Sequence, residues 1–349
     1  MRHGWGLFSV AAAVLACAGA ARADDAAVEA FYKGKNVSIL VATAPGGRYD
    51  VNARLIARHL TPHVPGKPTF VVQNTPGGGG LVLANRLYNT AERDGSILGV
   101  VQPGTPQVAI QGDPNAKFDP LKLTWIGSIS SFAADADMLI LNQKSPVQSA
   151  LDLRKPGVSA TLGAGTPGST NLIFAQMAKD VLGLNLKIVR GYPGAPALSL
   201  GMQSGEIDGQ VVLLSSLRTT QRAMWESKAV KPLVQFGRTT RLADLPDVPT
   251  GHELVTSPDG RALLDFAELP FFMSLPLVAP PDIPADRREA LRKGLMAMTK
   301  DPAFVEEANK LEVDLSPISG EAVLELLRKA AATPKDVIAR YNAVVPIGN

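Results

Sequence analysis

Hydrophobic and polar positions alternate along this chain in a way that twice runs an apolar strand into a Gly/Pro loop and straight into a helix. In the first unit, Val37 to Thr43 reads as a buried parallel strand, Ala44-Pro45-Gly46-Gly47-Arg48-Tyr49-Asp50 as its exit loop and Val51 to Leu60 as a helix. In the second, Ser159 to Leu162 leads into Gly163-Ala164-Gly165-Thr166-Pro167-Gly168-Ser169-Thr170 and a helix from Asn171. A Gly-rich loop at a helix start leaves unpaired N–H groups where the helix dipole is positive, which suits a carboxylate or phosphate. Two such units suggest one ligand gripped from both sides.

The alternation continues through strands at Phe70 to Gln73, Ile97 to Val101, Met138 to Leu141, Lys187 to Val189, Gln210 to Leu214 and Leu233 to Phe236. Helical stretches fall at Leu81 to Asn89, Pro196 to Ser204 and Leu217 to Glu226. The last third is helical in spacing, over Pro284 to Lys300, Pro302 to Leu311 and Gly320 to Tyr341, with one strand expected at Val313 to Leu315. Segments near Trp125 to Asp135 and Glu268 to Ser274 read as structured crossings between two domains. The expected division is residues 24–134 plus 272–349 as a discontinuous first lobe and 135–271 as a second.

Composition narrows the class. Hydrophobic residues make up 46% of the 349 positions and aromatics only 5%, so the core must be built mainly from Ala, Val, Leu and Ile. Arg2 and His3, the apolar run Leu7 to Ala21 and the exit Ala21-Arg22-Ala23 have the layout of a secretory signal peptide over residues 1–23. Cleavage there would remove Cys17, the single cysteine, and with it any disulfide, thiol nucleophile or thiolate metal site. The rival reading takes Val14-Leu15-Ala16-Cys17 as a loose lipobox with Cys17 lipidated. The loss of Arg2 and Arg22 brings the net charge from +3 to +1, which offers nothing to nucleic acid.

Candidate chemistry is sparse. Gly163, Gly165 and Gly168 satisfy G-x-G-x-x-G, yet Arg190 follows the next strand where a ribose-binding acid would stand. The loop therefore reads as a small-anion site, a dinucleotide site or a tight turn. Gly77 to Gly80 is either a supporting anion cradle or a flexible turn. Asp50 either caps the helix or orients a ligand, and Arg48 either pairs with a ligand carboxylate or is solvated. His59 and His63 have helix-face spacing, but Pro62 between them and the distance to His252 argue against a metal. Asp135 and Asp137 read as a solvated edge, and no nucleophile elbow is present.

Pro45-Gly46-Gly47-x-x-Asp50, Ala53-Arg54 and Gln73-Asn74-x-Pro76-Gly77 together resemble the extracytoplasmic receptors of tripartite tricarboxylate transporters, the Bug receptors. Gly191-Tyr192-Pro193-Gly194-Ala195-Pro196-Ala197-Leu198, Gly205-Glu206-Ile207-Asp208, Leu245-Pro246-Asp247-Val248-Pro249-Thr250 and Leu277-Val278-Ala279-Pro280 extend the resemblance over the whole mature chain. Pro193 stands where the family usually has Lys, and Arg48-Tyr49 where small residues are common. The resemblance implies an α/β, two-lobed periplasmic binding protein of type II-like, flytrap form, each lobe a mixed, mostly parallel sheet flanked by helices. It implies no catalysis and no cofactor or metal, and two partners: a small carboxylate (dicarboxylate, tricarboxylate, acidic amino acid or aromatic acid) and a two-subunit membrane permease. The ligand would be held by Ala44, Gly46, Gly47, Arg48, Tyr49 and Asp50 from one side and by Gly165, Thr166, Gly168, Ser169, Thr170 and Tyr192 from the other. The alternative is an exported α/β enzyme that binds a nucleotide or phosphorylated ligand at Gly163 to Gly168.

Overall fold

Val37, Ile39, Leu40 and Val41 are all buried, so β1 (Asn36–Val41) presents apolar side chains to both faces, as a strand covered on two sides must. In the computed structural model, which describes residues 25–165, 169–192 and 194–345, β1 lies inside a six-stranded sheet. Its neighbours are β2 (Thr69–Asn74) and β3 (Ile97–Val100), both parallel to it. The sheet is completed antiparallel by β10 (Pro276–Ala279), which lies between β3 and β4 (Thr124–Ser128), and by β11 (Ile318–Ser319) at the edge.

The second sheet has five strands in the order β7-β6-β8-β5-β9. β6 (Ala160–Gly163) runs parallel to β7 (Leu186–Val189) and β8 (Gly209–Leu213), whereas β5 (Asp137–Asn142) is antiparallel to β8 and to β9 (Val230–Phe236). Both sheets are thus mixed and flanked by helices. The antiparallel share is larger than strand–helix alternation predicts, because β10 and β5 each enter a sheet directly from a crossing segment.

The chain passes between the sheets after β4 and again before β10, and the two crossings are stitched together. Ser274 N–H donates to the Ser130 carbonyl (2.9 Å), the Ser128 hydroxyl to the same carbonyl (2.7 Å), and Leu275 N–H to Ser128 Oγ (3.1 Å). One apolar cluster includes Leu40 and Val101 of the first sheet's side, Leu139 and Phe174 of the second, and Phe266 and Tyr341. The last pair meets edge to face at 5.0 Å where the Lys335–Val344 helix packs on the Pro258–Glu268 helix. The C-terminal helix therefore leans on the element that leads out of the second sheet.

Several sequence expectations differ from the fold: the helical stretch Gly320 to Tyr341 is two helices, Gly320–Ala331 and Lys335–Val344, and the crossing expected from Trp125 begins within β4. Val313 to Leu315 is not a strand. The edge strand is the two-residue β11, and Asp314 instead turns its carboxylate to Ser130 Oγ (2.8 Å) and Ser316 Oγ (2.7 Å). The helix expected over Leu217 to Glu226 is two short ones, Leu214–Arg218 and Arg222–Glu226, parted where Thr219 turns to φ −113°, ψ −81°. Residues 1–24, with the expected signal peptide and Cys17, lie outside the described residues.

Candidate functional site

The first Gly/Pro loop enters its helix earlier than the hydrophobic pattern predicts: the helix spans Arg48–Leu60 with Gly47 as N-cap. Asp50 is therefore the third helical residue, not the cap. Its buried carboxylate reaches back to accept from Gly46 N–H (2.8 Å) and also accepts from Asn74 Nδ2 (3.0 Å) and Arg54 Nε (3.1 Å). The Arg54 hydrogen bond, with those from Gly46 and Asn74, holds its pKa down at about 2 against the cost of burial. A carboxylate in the first helical turn also complements the helix dipole. All this ties Asp50 into the loop's own structure.

The start of that helix borders a cavity of about 440 Å³ between the two sheets. Arg48 and Tyr49 enter it from the helix, and Gln102, Thr105 and Gln107 from the segment that follows β3. Asp137 and Thr170 face it from the second sheet's side, and Phe271 and Ser274 from the second crossing. Arg48 Nη2 donates to Ser274 Oγ at 3.0 Å, so a cation is braced at the crossing. Burial pushes the Tyr49 hydroxyl pKa up, with Arg48 pulling the other way. Phe174, buried in the wall, stacks on Phe236 (4.9 Å) and tilts against Phe271 (5.2 Å), which in turn meets Phe132 (5.1 Å). The cavity thus joins an aromatic wall to a few convergent polar groups, the usual make-up of a small-molecule site.

Of the residues singled out in the sequence, Arg48, Tyr49 and Thr170 come together here. Ala44, Gly46 and Gly47 are exposed on the loop and do not line the cavity. Gly165 N–H (3.2 Å) and the Ser169 hydroxyl (2.7 Å) both donate to Asn171 Oδ1, so these donors are spent within their own loop. Thr166 and Gly168 lie outside the described residues. Tyr192 turns inward: a Cβ on Gly201 would stand 3.2 Å from its hydroxyl, and one on Gly163 3.2 Å from its ring. A Cβ on Gly163 would also stand 2.7 Å from Leu198 Cδ2, so this first glycine of G-x-G-x-x-G serves internal packing. Gly79 lines the cavity and accepts from Thr105 Oγ1 (3.1 Å). His59 pairs with Glu307 (2.6 Å) and His63 with Asp301 (3.0 Å), two separate carboxylates.

The reading of Asp135 and Asp137 as a solvated edge is overturned, since both are buried. β5 is an interior strand, and Asp137 pairs with Leu213 on one side and Phe236 on the other. Asp135 is saturated by Ala136 N–H (2.9 Å), Ser215 N–H (3.1 Å) and the Ser215 hydroxyl (2.6 Å). Asp137 Oδ2 has no hydrogen-bond partner among the described residues. Desolvation drives its pKa well up, Asp135 and Glu268 add to the rise, and Arg48 opposes it. No signal in the sequence marked Gln102, Thr105, Phe271 or Ser274 as cavity residues.

No family model matches the chain. A UPF0065 protein from the TAR-I ttuE-ttuC' intergenic region of Agrobacterium vitis is 27% identical over 281 residues, spanning 79% of this chain and 74% of that protein. Among solved structures, a TctC solute binding protein from Polaromonas without ligand superposes with a TM-score of 0.69 at 17% identity, covering 88% of this chain and 99% of that one. MatC from Rhodopseudomonas palustris, solved with bound malate, gives 0.54 at 20% identity, covering 89% and 99%. The two-lobed fold expected from the motifs is the fold these proteins share with the chain.

Proposed function

We propose that this chain, which belongs with the TctC-type (Bug) solute-binding proteins, is an extracytoplasmic receptor that captures a small carboxylate between its two sheets and hands it to a tripartite tricarboxylate-type permease. The observation that carries this reading is Arg48, a guanidinium held by Ser274 at the mouth of a half-apolar cavity of about 440 Å³. A carboxylate taken out of water needs replacement donors, and a braced guanidinium with nearby hydroxyl and amide groups supplies them. A ligand that touches both sheets binds the closed arrangement better and shifts the population toward it. Export through the 1–23 segment, or anchoring through Cys17, belongs to the same reading, and among the described residues no helix is long and apolar enough to cross a membrane. The exported-enzyme alternative is disfavoured at Gly165, the second glycine of the motif, whose N–H would face a pyrophosphate but is already donated to Asn171 Oδ1 (3.2 Å).

The test is a thermal-shift screen of the protein from Asp24 onward against dicarboxylates, tricarboxylates, amino acids, aromatic acids and nucleotides. A ligand that binds only the folded state contributes about 2.7 kcal/mol at a hundredfold excess over its Kd. A shift confined to carboxylates supports the receptor, and a shift with nucleotides alone overturns it.

A further inference from the structure

Three acidic residues cluster beside the crossings, and only one of them is left with an unanswered oxygen. Asp135 is saturated by Ala136 and Ser215, and Glu268 accepts from Gly237 N–H (2.9 Å) and His252 Nε2 (2.8 Å). Asp137 is 2% exposed, lines the cavity, and has an Oδ2 without a partner among the described residues. Leaving a buried carboxyl unpaired is costly, so such a group in a cavity wall points to a partner that arrives from outside. Arg48, on the same cavity, is turned to Ser274 and not to Asp137. The cavity therefore offers one cation and one carboxyl separately, with Phe132, Phe174 and Phe271 along its apolar side.

We infer that Asp137 is a specificity residue that receives an ammonium group of the ligand, so that the preferred substrates are amphoteric: a carboxylate for Arg48, an amine for Asp137 and an apolar body between them. The inference rests on the receptor reading and sharpens it. The negative field of Asp135 and Glu268 at the same place favours a cation there. A plain dicarboxylate would instead bring a second anion into the field of Asp135 and Glu268.

Titration calorimetry on the whole exported chain tests this with acids that differ only in the amine: phenylalanine against 3-phenylpropanoate, and glutamate against glutarate, with malate as a carboxylate control. The amino member of at least one pair is expected to bind about tenfold more tightly than its partner, the size of one charge-assisted hydrogen bond. In Asp137→Asn that ratio falls to near one, while the deaminated acid keeps or improves its affinity. Equal or tighter binding of the deaminated acids by the unaltered protein overturns the role of Asp137 and leaves the receptor reading standing. Failure of every pair and of malate overturns both. The preference within a pair is read on the unaltered protein, so it does not depend on the folding of the variant.

Discussion

Asp50 and Asp137 are both buried carboxyls near the same cavity, at 3% and 2% exposure, and their surroundings push them in opposite directions. Asp50 has three donors converging on it and stays ionised down to about pH 2, whereas Asp137 has an oxygen with none and two acidic neighbours. Burial alone therefore says little about a carboxyl's role. A saturated carboxylate is part of the scaffold, and an unsaturated one is an open valence of the site.

The largest expected effect attacks the scaffold side. Asp50→Ala strips the Gly46 N–H and Asn74 of their acceptor and should cost about 2 kcal/mol in urea unfolding, with the half-exposed Arg54 pairing adding little. An unchanged midpoint would place Asp50 outside the scaffold. Arg48→Ala, on the site side, should weaken carboxylate binding by about 1.5 kcal/mol, or roughly tenfold, while leaving the urea midpoint where it was.

Asp137→Asn should go the other way in stability. A carboxyl whose folded pKa is raised keeps its proton when the unfolded chain has lost it, so its contribution is full in acid and declines as pH rises past the ordinary carboxylate range. Asn removes that decline, so the unfolding free energy without ligand should exceed the parent's at neutral pH by an amount on the order of 1 kcal/mol and converge with it near pH 4. Asp50 has the opposite sign: its stabilisation is present above the ordinary carboxylate pKa and is lost as pH falls toward about 2, a loss that Asp50→Asn should not show. The smallest effect is that of Ser274→Ala, which frees Arg48 without removing it and should cost about 0.5 kcal/mol of carboxylate affinity.

Much of the fold was legible because buried strands and helix faces leave periodic apolar positions, and both strand–loop–helix units are present, the first with its helix three residues early. The loops were read as donors because glycine at a helix start exposes N–H groups. Sequence cannot say whether Asn171 has already claimed those donors. The solvated edge expected at Asp135 and Asp137 fails for a related reason: two acids in a crossing segment carry no local mark of burial, and only the strand order, with β8 on one side of β5 and β9 on the other, buries Asp137. Ser274 and Phe271 come to the cavity from a crossing more than two hundred residues beyond Arg48, a distance no local pattern spans.

The apolar cluster that takes in Leu40, Tyr341, Phe266 and Leu139 has a thermodynamic corollary. Because neither sheet can lose its share of this cluster without exposing the other's, the two halves should melt as one cooperative unit. Scanning calorimetry should then show a single heat-absorption peak whose van't Hoff and calorimetric enthalpies agree, and a ligand bound in the cavity should move that whole peak rather than split off a shoulder.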